Sequence, residues 1–286
     1  MIDISVVMPI RNVEATLLEA VDAVLAQEWS GTFEVLLVEN RSSDATPTIA
    51  AALATRDHRV RVVPALDRDG LAYARHVGID AATSDRVVIC DGDDVVTAGW
   101  LAAMADALER ARVVTGPCDP FPLNPEWLAR SRGIYPPDRP LEWHRLFPIA
   151  SGGNVGLHRD VFAEVGGFRD DFLGAEDHEF SLRLAVAGIP VGFAPGARIL
   201  YRMRAEPRAL WRQGLGYGRN RPRLRREVAR AGLRAPARLS GIRSWIRLVA
   251  TIPGLRHGAG RAQWCWIAGV RIGHVLGSVR DRTLFL

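Results

Sequence analysis

Two short clusters of carboxylates carry the chemistry this sequence has to offer. Asp91, Gly92, Asp93 and Asp94 directly follow the apolar run Val87-Val88-Ile89-Cys90. Three carboxylates within four residues repel one another and need water or a cation to neutralise them. Their hard oxygens suit Mg²⁺ or Mn²⁺, ions that in turn hold diphosphates. Gly92 lets the backbone approach a ligand closely. The same four residues also make an ordinary solvated acidic turn, with Asp94 or Thr97 capping the next helix. Glu176 and Asp177 form the second cluster, after Gly174 and at the start of a helical pattern. A helix dipole stabilises carboxylates there whatever their role, and one of them can serve as a general base. Neighbouring helix side chains diverge by about 100°, so one of the two at most is expected to face a substrate.

The elements that position these clusters follow from periodicity. Ile4–Met8 reads as a buried strand ended by Pro9, followed by a helix with Leu17, Leu18, Val21, Val24 and Leu25 on one face. Phe33–Val38 and Val60–Val63 are strands on either side of a helix that Asp44 caps and that runs to about Ala54. Gly70–Ala82 is helical, Arg86–Cys90 a strand, Gly99–Ala111 a helix and Arg112–Gly116 a strand. This alternation predicts an α/β fold with a mainly parallel sheet flanked by helices. Ligands on such sheets bind beyond the carboxyl ends of the strands, at Pro9–Asn12, Glu39–Asp44, Pro64–Gly70 and Asp91–Asp94. Pro117–Pro148 reads as a long irregular crossover, Glu176–Ala187 as a helix stopped by Gly188, and residues 206–286 as two or three basic amphipathic helices.

Composition narrows the class. A hydrophobic share of 48% over 286 residues suits a globular chain. Three scattered cysteines without a CxxC pair exclude a disulfide framework and a structural zinc site, and point to a reducing, cytoplasmic setting. The first ten residues lack the basic and apolar regions of a signal peptide, and no apolar run is long enough to cross a bilayer. No dinucleotide glycine fingerprint follows the first strand, and no phosphate-binding P-loop, nucleophile elbow or H-E-x-x-H occurs. The chain has no Lys, and its charge is split. Residues 1–201 carry 18 Arg against 29 acidic groups, whereas residues 202–286 carry 19 Arg against three.

Five segments taken in order resemble one family. Ser5-Val6-Val7-Met8-Pro9-Ile10-Arg11-Asn12 resembles its opening strand, and Val38-Glu39-Asn40-Arg41-Ser42-Ser43-Asp44-Ala45-Thr46 its V-D-D-G-S-x-D-x-T element. Asp69-Gly70-Leu71-Ala72-Tyr73-Ala74-Arg75-His76-Val77-Gly78 resembles N-x-G-x-x-x-A-R-N-x-G, and Asp91-Gly92-Asp93-Asp94 the D-x-D element. Val165-Gly166-Gly167-Phe168 precedes Glu176-Asp177-His178-Glu179-Phe180 as G-G-F precedes E-D-x-(D/E). The resemblance, over residues 4–205, is to glycosyltransferase family 2, the inverting nucleotide-sugar transferases of GT-A fold.

That resemblance implies a role for each matching position. Pro9, Ile10, Glu39, Arg75, Asp91 and Gly92 would bind the nucleotide, Glu39 at the base or ribose. Asp93 would hold Mg²⁺ or Mn²⁺, and Asp177 would be the general base. Gly152, Gly153, Asn154 and Glu176 would form the acceptor side. The implied donor is a nucleoside-diphosphate sugar, a UDP-sugar foremost, and the acceptor a hydroxyl of a glycan, lipid-linked or cell-envelope molecule. Residues 1–116 would be the nucleotide-sugar half, 117–205 the acceptor half and 206–286 a helical extension. Arg11, Asn40, Arg41 and His76 depart from the pattern, and Tyr201 stands where a further histidine is often found. Gln213 is not part of a Q-x-x-R-W element. Two other functions compete with this one: a nucleotidyltransferase of related fold, for which Pro9-Ile10-Arg11-Asn12 lacks the phosphate loop, and a non-catalytic binding or scaffold protein.

The tail mixes Arg221, Arg223, Arg225 and Arg226 with Leu224, Val228, Leu239, Ile242, Trp245, Ile246 and Leu248, then Trp264, Trp266, Ile267, Val270 and Val275. This pattern suits an anionic membrane surface. It also suits packing on the body or against a second subunit in a homodimer. Nucleic acid is not expected as a partner, because the body is acidic and no binding motif accompanies the arginines.

Overall fold

The computed structural model describes residues 2–131, 136–238 and 241–285, so Leu239 lies outside the described residues. Seven strands form the central sheet: β1 (Ile4–Ile10), β2 (Phe33–Glu39), β3 (Val60–Pro64), β4 (Arg86–Cys90), β5 (Val113–Thr115), β6 (Asn154–His158) and β7 (Val191–Phe193). Their spatial order is β7-β5-β6-β4-β1-β2-β3. β1 pairs in parallel with both β2 and β4, and β2 in parallel with β3. The chain therefore winds outward from β1 in one direction and returns to its other side. Such a switch point opens a crevice at the carboxyl ends of the two central strands, where Ile10 and Cys90 stop and Asp91 begins.

All seven residues of β1 and all seven of β2 are buried, as expected of strands covered on both faces. Helices α1 (Leu17–Leu25), α2 (Thr46–Arg56) and α4 (Trp100–Leu108) supply one apolar layer, through Leu17, Val21, Leu53, Trp100 and Met104. Helices α3 (Leu71–Ala81), α5 (Arg159–Val165) and α6 (Glu176–Val186) supply the other, through Ala74, Ile79, Phe162, Phe180 and Leu184. Helix α2 starts at Thr46 after Ala45, and Asp44 accepts from the Thr46 backbone N–H at 3.0 Å from just outside the helix.

Periodicity reads past two strands. β6 runs antiparallel between β4 and β5, and β7 lies parallel to β5 at the sheet edge. Both are short and follow glycine-rich or proline-rich turns, so their apolar runs carry little signal. The crossover contains a short helix, Glu126–Ala129, and a hairpin of Glu142–Trp143 with Phe147–Pro148. A second small sheet joins Val95–Val96, Cys118–Asp119 and Ile199–Leu200, and so draws residues 201–203 up to Asp93 and Asp94.

The tail forms three helices, α7 (Pro207–Arg230), α8 (Ile242–Ala250) and α9 (Gly258–Arg280). α7 and α9 touch backbone to backbone: a side chain at Gly214, Gly218, Gly269, Gly273 or Gly277 would collide with the opposite helix. Leu224 and Val228 of α7 pack into a cluster with Trp143, Phe147, Phe172 and Leu182 of the body. Leu210 and Ala262 pack with Leu128 and Met203. Arg223 also pairs with Asp171 at 2.6 Å. The basic tail is thus packed against the α/β body along α7 and α9.

Candidate active site

A cavity of about 360 Å³ lies where the carboxyl ends of the strands, the start of α6 and helix α7 meet. Asp91, Asp94, Arg75, Gly152, Gly153, Glu176, Asp177, His178, Tyr201, Tyr217, Arg221 and Trp266 are among its walls. Residues distant in sequence come together here because three elements end at the same edge of the sheet.

Arg75 is the centre of the construction. Its side chain is 3% exposed, and it reaches Asp91 Oδ1 at 3.3 Å and Glu176 Oε1 at 3.2 Å. Its guanidinium also lies 5.3 Å from the centroid of the Phe168 ring, which the Gly166-Gly167 turn delivers at left-handed φ values of 86° and 65°. Beside it, His76 shares a hydrogen bond of 2.6 Å with the Phe168 carbonyl. The departure at His76 therefore fastens α3 to this turn. Gly152 and Gly153 pass so close that a methyl group would lie 2.6 Å from Arg75 Nη1 and 2.7 Å from Asp91 Oδ2, respectively.

The aspartate cluster fits a divalent cation. Asp91, Asp93 and Asp94 each offer an oxygen, and these oxygens lie within 4.8 Å of one another. Burial and the Asp91 charge push the Asp93 carboxyl up to about 6, and burial with both neighbours raises Asp94 well above the usual range. Asp94 Oδ2 is buried without a hydrogen-bond partner. Carboxylates that repel one another, one of them with an orphaned oxygen, are what a cation would relieve. Asp94 Oδ1 accepts from the Arg202 backbone N–H at 2.7 Å, and Arg202 Nε donates to the Asp93 carbonyl at 2.9 Å. Nothing in the sequence around Arg202 marks it as a partner of this turn. Gly92 is fixed by space, since a methyl there would lie 2.7 Å from Ile10 Cγ2.

The first turn of α6 enters the cavity end-on, so Glu176 and Asp177 both border it. This corrects the expectation that only one of the two faces it. Their roles differ through their partners. Glu176 is spent on Arg75, and its carboxyl is raised by burial in spite of that charge. Asp177 Oδ1 accepts from the His178 backbone N–H and lies 2.8 Å from His178 Nδ1. Burial works against the charged form of Asp177, but His178 and Arg75 outweigh it and hold the carboxyl down at about 2. Ser181 Oγ donates to the Asp177 carbonyl and accepts from the Ala150 N–H, tying α6 to the segment before β6.

The remaining expected residues sit elsewhere along this edge. Pro9, Ile10 and Glu39 end β1 and β2 outside the cavity lining, and Glu39 Oε1 accepts from the Ser42 N–H at 2.6 Å. Asn40 donates to the Ala65 and Arg68 carbonyls and accepts from the Gly70 N–H, fastening three loops. Arg11 and Arg41 both pair with Asp69, at 3.3 Å and 3.4 Å. Asn154 is fully buried; its amide donates to the Pro117 and Ala197 carbonyls and accepts from Trp100 Nε1. With its side chain so committed, Asn154 supports the cavity floor and does not reach into the cavity. His178, Tyr201, Tyr217, Arg221 and Trp266 join the lining; Tyr217 and Trp266 do so because α7 and α9 are folded over the site.

Known proteins resemble this chain in sequence and fold. The family model for glycosyl transferase family 2 matches residues 5–166, and that for glycosyl transferase family group 2 matches residues 86–270. The chain belongs to glycosyltransferase family 2. It is 34% identical to the glycosyltransferase GlyG of Streptococcus pneumoniae over 115 residues, 40% of this chain and 38% of that one. Three such curated relatives are matched over 38%, 30% and 30% of their own length. The fold is that of the mannosyltransferase PcManGT from Pyrobaculum calidifontis, solved with GDP-Man and Mn²⁺, at a TM-score of 0.68 and 19% identity over 98% of this chain and 87% of that one. Residues 1–349 of S. aureus TarS, solved with UDP, match at a TM-score of 0.55 and 16% identity over 99% and 92%.

Proposed function

We propose that the chain transfers a sugar from a nucleoside-diphosphate sugar to an acceptor hydroxyl by a single displacement that inverts the anomeric centre. The observation that carries this reading is the cavity that Asp177 lines together with Asp91 and Asp94, beside the buried Arg75 that pairs with Asp91 and Glu176. Asp177, ionised at neutral pH, takes the proton of the acceptor hydroxyl. A base held this low receives the proton late, as the new bond forms and the hydroxyl becomes acidic. Arg75 fixes Asp91 and Glu176 in register beside the base. Asp91, Asp93 and Asp94 would hold Mg²⁺ or Mn²⁺, which when bound neutralises the charge that grows on the diphosphate leaving group. The ligands named for the structural neighbours, GDP-Man with Mn²⁺ and UDP, support a nucleotide-sugar donor.

A panel of nucleotide sugars tests the proposal. Divalent-cation-dependent release of a nucleoside diphosphate from one of them is the expected result. Release of pyrophosphate in the presence of a sugar phosphate and a nucleoside triphosphate would instead identify a nucleotidyltransferase. Binding of a nucleotide sugar without turnover, whatever the acceptor, would leave a scaffold.

The reading extends to the tail, where α8 docks the enzyme on an anionic lipid surface near its acceptor. Ile242, Ile246 and Val249 share one helix face and are 51%, 64% and 66% exposed, with Ile252 close behind. The exposed Arg243, Arg247 and Arg256 flank this face, so apolar insertion and attraction to acidic headgroups act together. No helix among the described residues is long and apolar enough to cross a membrane. Flotation with phosphatidylglycerol vesicles but not phosphatidylcholine vesicles, lost in Ile246→Glu, is expected. No flotation at low salt, or a dimer that buries α8, overturns the docking.

A further inference from the structure

Acidic groups dominate the cavity: Asp91, Asp94, Glu142, Glu176 and Asp177 all line it, and Arg75 is already engaged by two of them. On the tail side one cation remains. Arg221 lines the cavity from α7, and among the described residues it forms no salt bridge. Behind it the tight α7–α9 contact buries Arg271 and His274, at 6% and 3% exposure. That contact is fixed by Gly218, where a methyl would lie 3.0 Å from the His274 backbone nitrogen. Arg271 Nη1 and both ring nitrogens of His274 have no hydrogen-bond partner.

These groups bear on one another. Burial and then the Arg221 charge lower the Arg271 guanidinium to about 10. Burial, Arg271, Arg221 and His144 together hold His274 down at about 2. A buried arginine without a carboxylate partner opposes folding unless something negative completes it. Among the described residues the other buried arginine, Arg75, is answered by Asp91 and Glu176.

We propose that Arg221, backed by Arg271, is an oxyanion subsite for the acceptor. The acceptor then carries a phosphate ester or a carboxylate beside the hydroxyl that receives the sugar. The subsite belongs to the acceptor because α7 meets the start of α6 beside Arg221: Asn220 donates to the Leu173 carbonyl at 2.9 Å, and a methyl on Gly174 would lie 2.7 Å from Tyr217 Cδ1, which puts Arg221 on the side of the base, Asp177. An anionic acceptor approaching so acidic a cavity needs this guanidinium to offset the repulsion, and a guanidinium matches either oxyanion with paired donors. The inference rests on the transferase reading, which supplies the donor and the base.

The test first fills the donor side. The protein is saturated with Mg²⁺ and the nucleoside diphosphate that it binds, then titrated calorimetrically with inorganic phosphate, methyl phosphate and glucuronate. Wild-type protein is expected to bind the phosphates or the uronate at one site, and the stronger of the two names the acceptor's anion. Arg221→Gln should weaken that binding about tenfold or more, the range of a charge-assisted contact, and Arg221→Lys should restore part of it. Nucleoside diphosphate affinity should stay within about twofold in both variants. Wild-type protein that binds neither anion, or Arg221→Gln that binds as wild type does, overturns the subsite. An equal loss of nucleoside diphosphate affinity assigns Arg221 to the donor and also overturns it. If wild-type protein binds no nucleoside diphosphate, the transferase reading fails; Arg221-dependent anion binding measured without nucleotide would still support the subsite, and its absence would overturn it.

Discussion

Replacing Arg75 with Met removes the one cation between two carboxylates and leaves a side chain of similar length in its place. In the wild type the guanidinium is 3% exposed and sits 3.2 Å from Glu176 and 3.3 Å from Asp91. At an effective dielectric near 20, a pair at that distance carries about 5 kcal/mol of Coulomb attraction. Most of that is cancelled by the cost of taking the charges out of water. What survives the mutation is the uncompensated part, mainly Glu176, whose Oε2 already lacks a partner. Breaking a buried pair in this way costs about 3–5 kcal/mol. The pH dependence has a definite sign. Burial holds the Glu176 carboxyl above its ordinary value even with Arg75 present, and losing Arg75 raises it further. A carboxyl raised in the folded state costs stability above its unfolded pKa, and that cost disappears as pH falls below it. Urea denaturation should therefore show a deficit of about 3–5 kcal/mol for Arg75→Met at pH near 7.5 that shrinks toward pH near 4.5. Arg75→Met combined with Glu176→Gln should recover most of it in a double-mutant cycle. A deficit under about 1 kcal/mol at neutral pH, or no recovery in the double variant, would refute the bridge as described.

Three further outcomes are expected. Asp177→Asn should lower transfer about 10²–10⁴-fold, the range for a lost general base, with nucleoside diphosphate affinity nearly unchanged by calorimetry; near-wild-type turnover would remove Asp177 from the role. Because Asp93 is raised to about 6 and must ionise to hold a cation, the thermal stabilisation given by Mg²⁺ or Mn²⁺ should shrink as pH falls from about 7 to about 5. The increment should be lost at every pH in Asp93→Ala, and an increment that grows on acidification would exclude this ligand. Gly153→Ala places a methyl against Asp91 Oδ2; it should weaken metal-dependent nucleotide binding while an equivalent change at Gly188, where nothing lies within 4 Å, affects stability alone through its left-handed backbone.

Much of the candidate site is legible in local sequence. The apolar run before Asp91 had to be a buried strand, so its carboxylates had to emerge at a strand end. The same holds for Glu39 at the end of β2, and Gly174 announces the start of α6 with Glu176 and Asp177 in its first turn. The helix ends predicted from sequence lie within a few residues of those observed, because termini depend on tertiary contacts that periodicity does not encode. β6 was invisible as a strand for a related reason. Five residues with two polar ends have no period, and their place is set by β4 and β5 on either side.

Residue types and their spacing along the chain determined the α/β alternation, the strand-end carboxylates and the family. Those properties are local, since a strand's burial and a turn's acidity are written in consecutive residues. Tertiary structure alone decided what each carboxylate is worth. Arg75 and Glu176 are 101 residues apart, yet they meet in a buried ion pair. Arg202 reaches the aspartate turn from 108 residues away. The tail, which composition marks only as basic, brings Tyr217, Arg221 and Trp266 to the cavity wall. Desolvation and charge act through space, so whether a carboxylate is held at about 2, like Asp177, or pushed to about 6, like Asp93, depends on neighbours that the chain supplies only when folded.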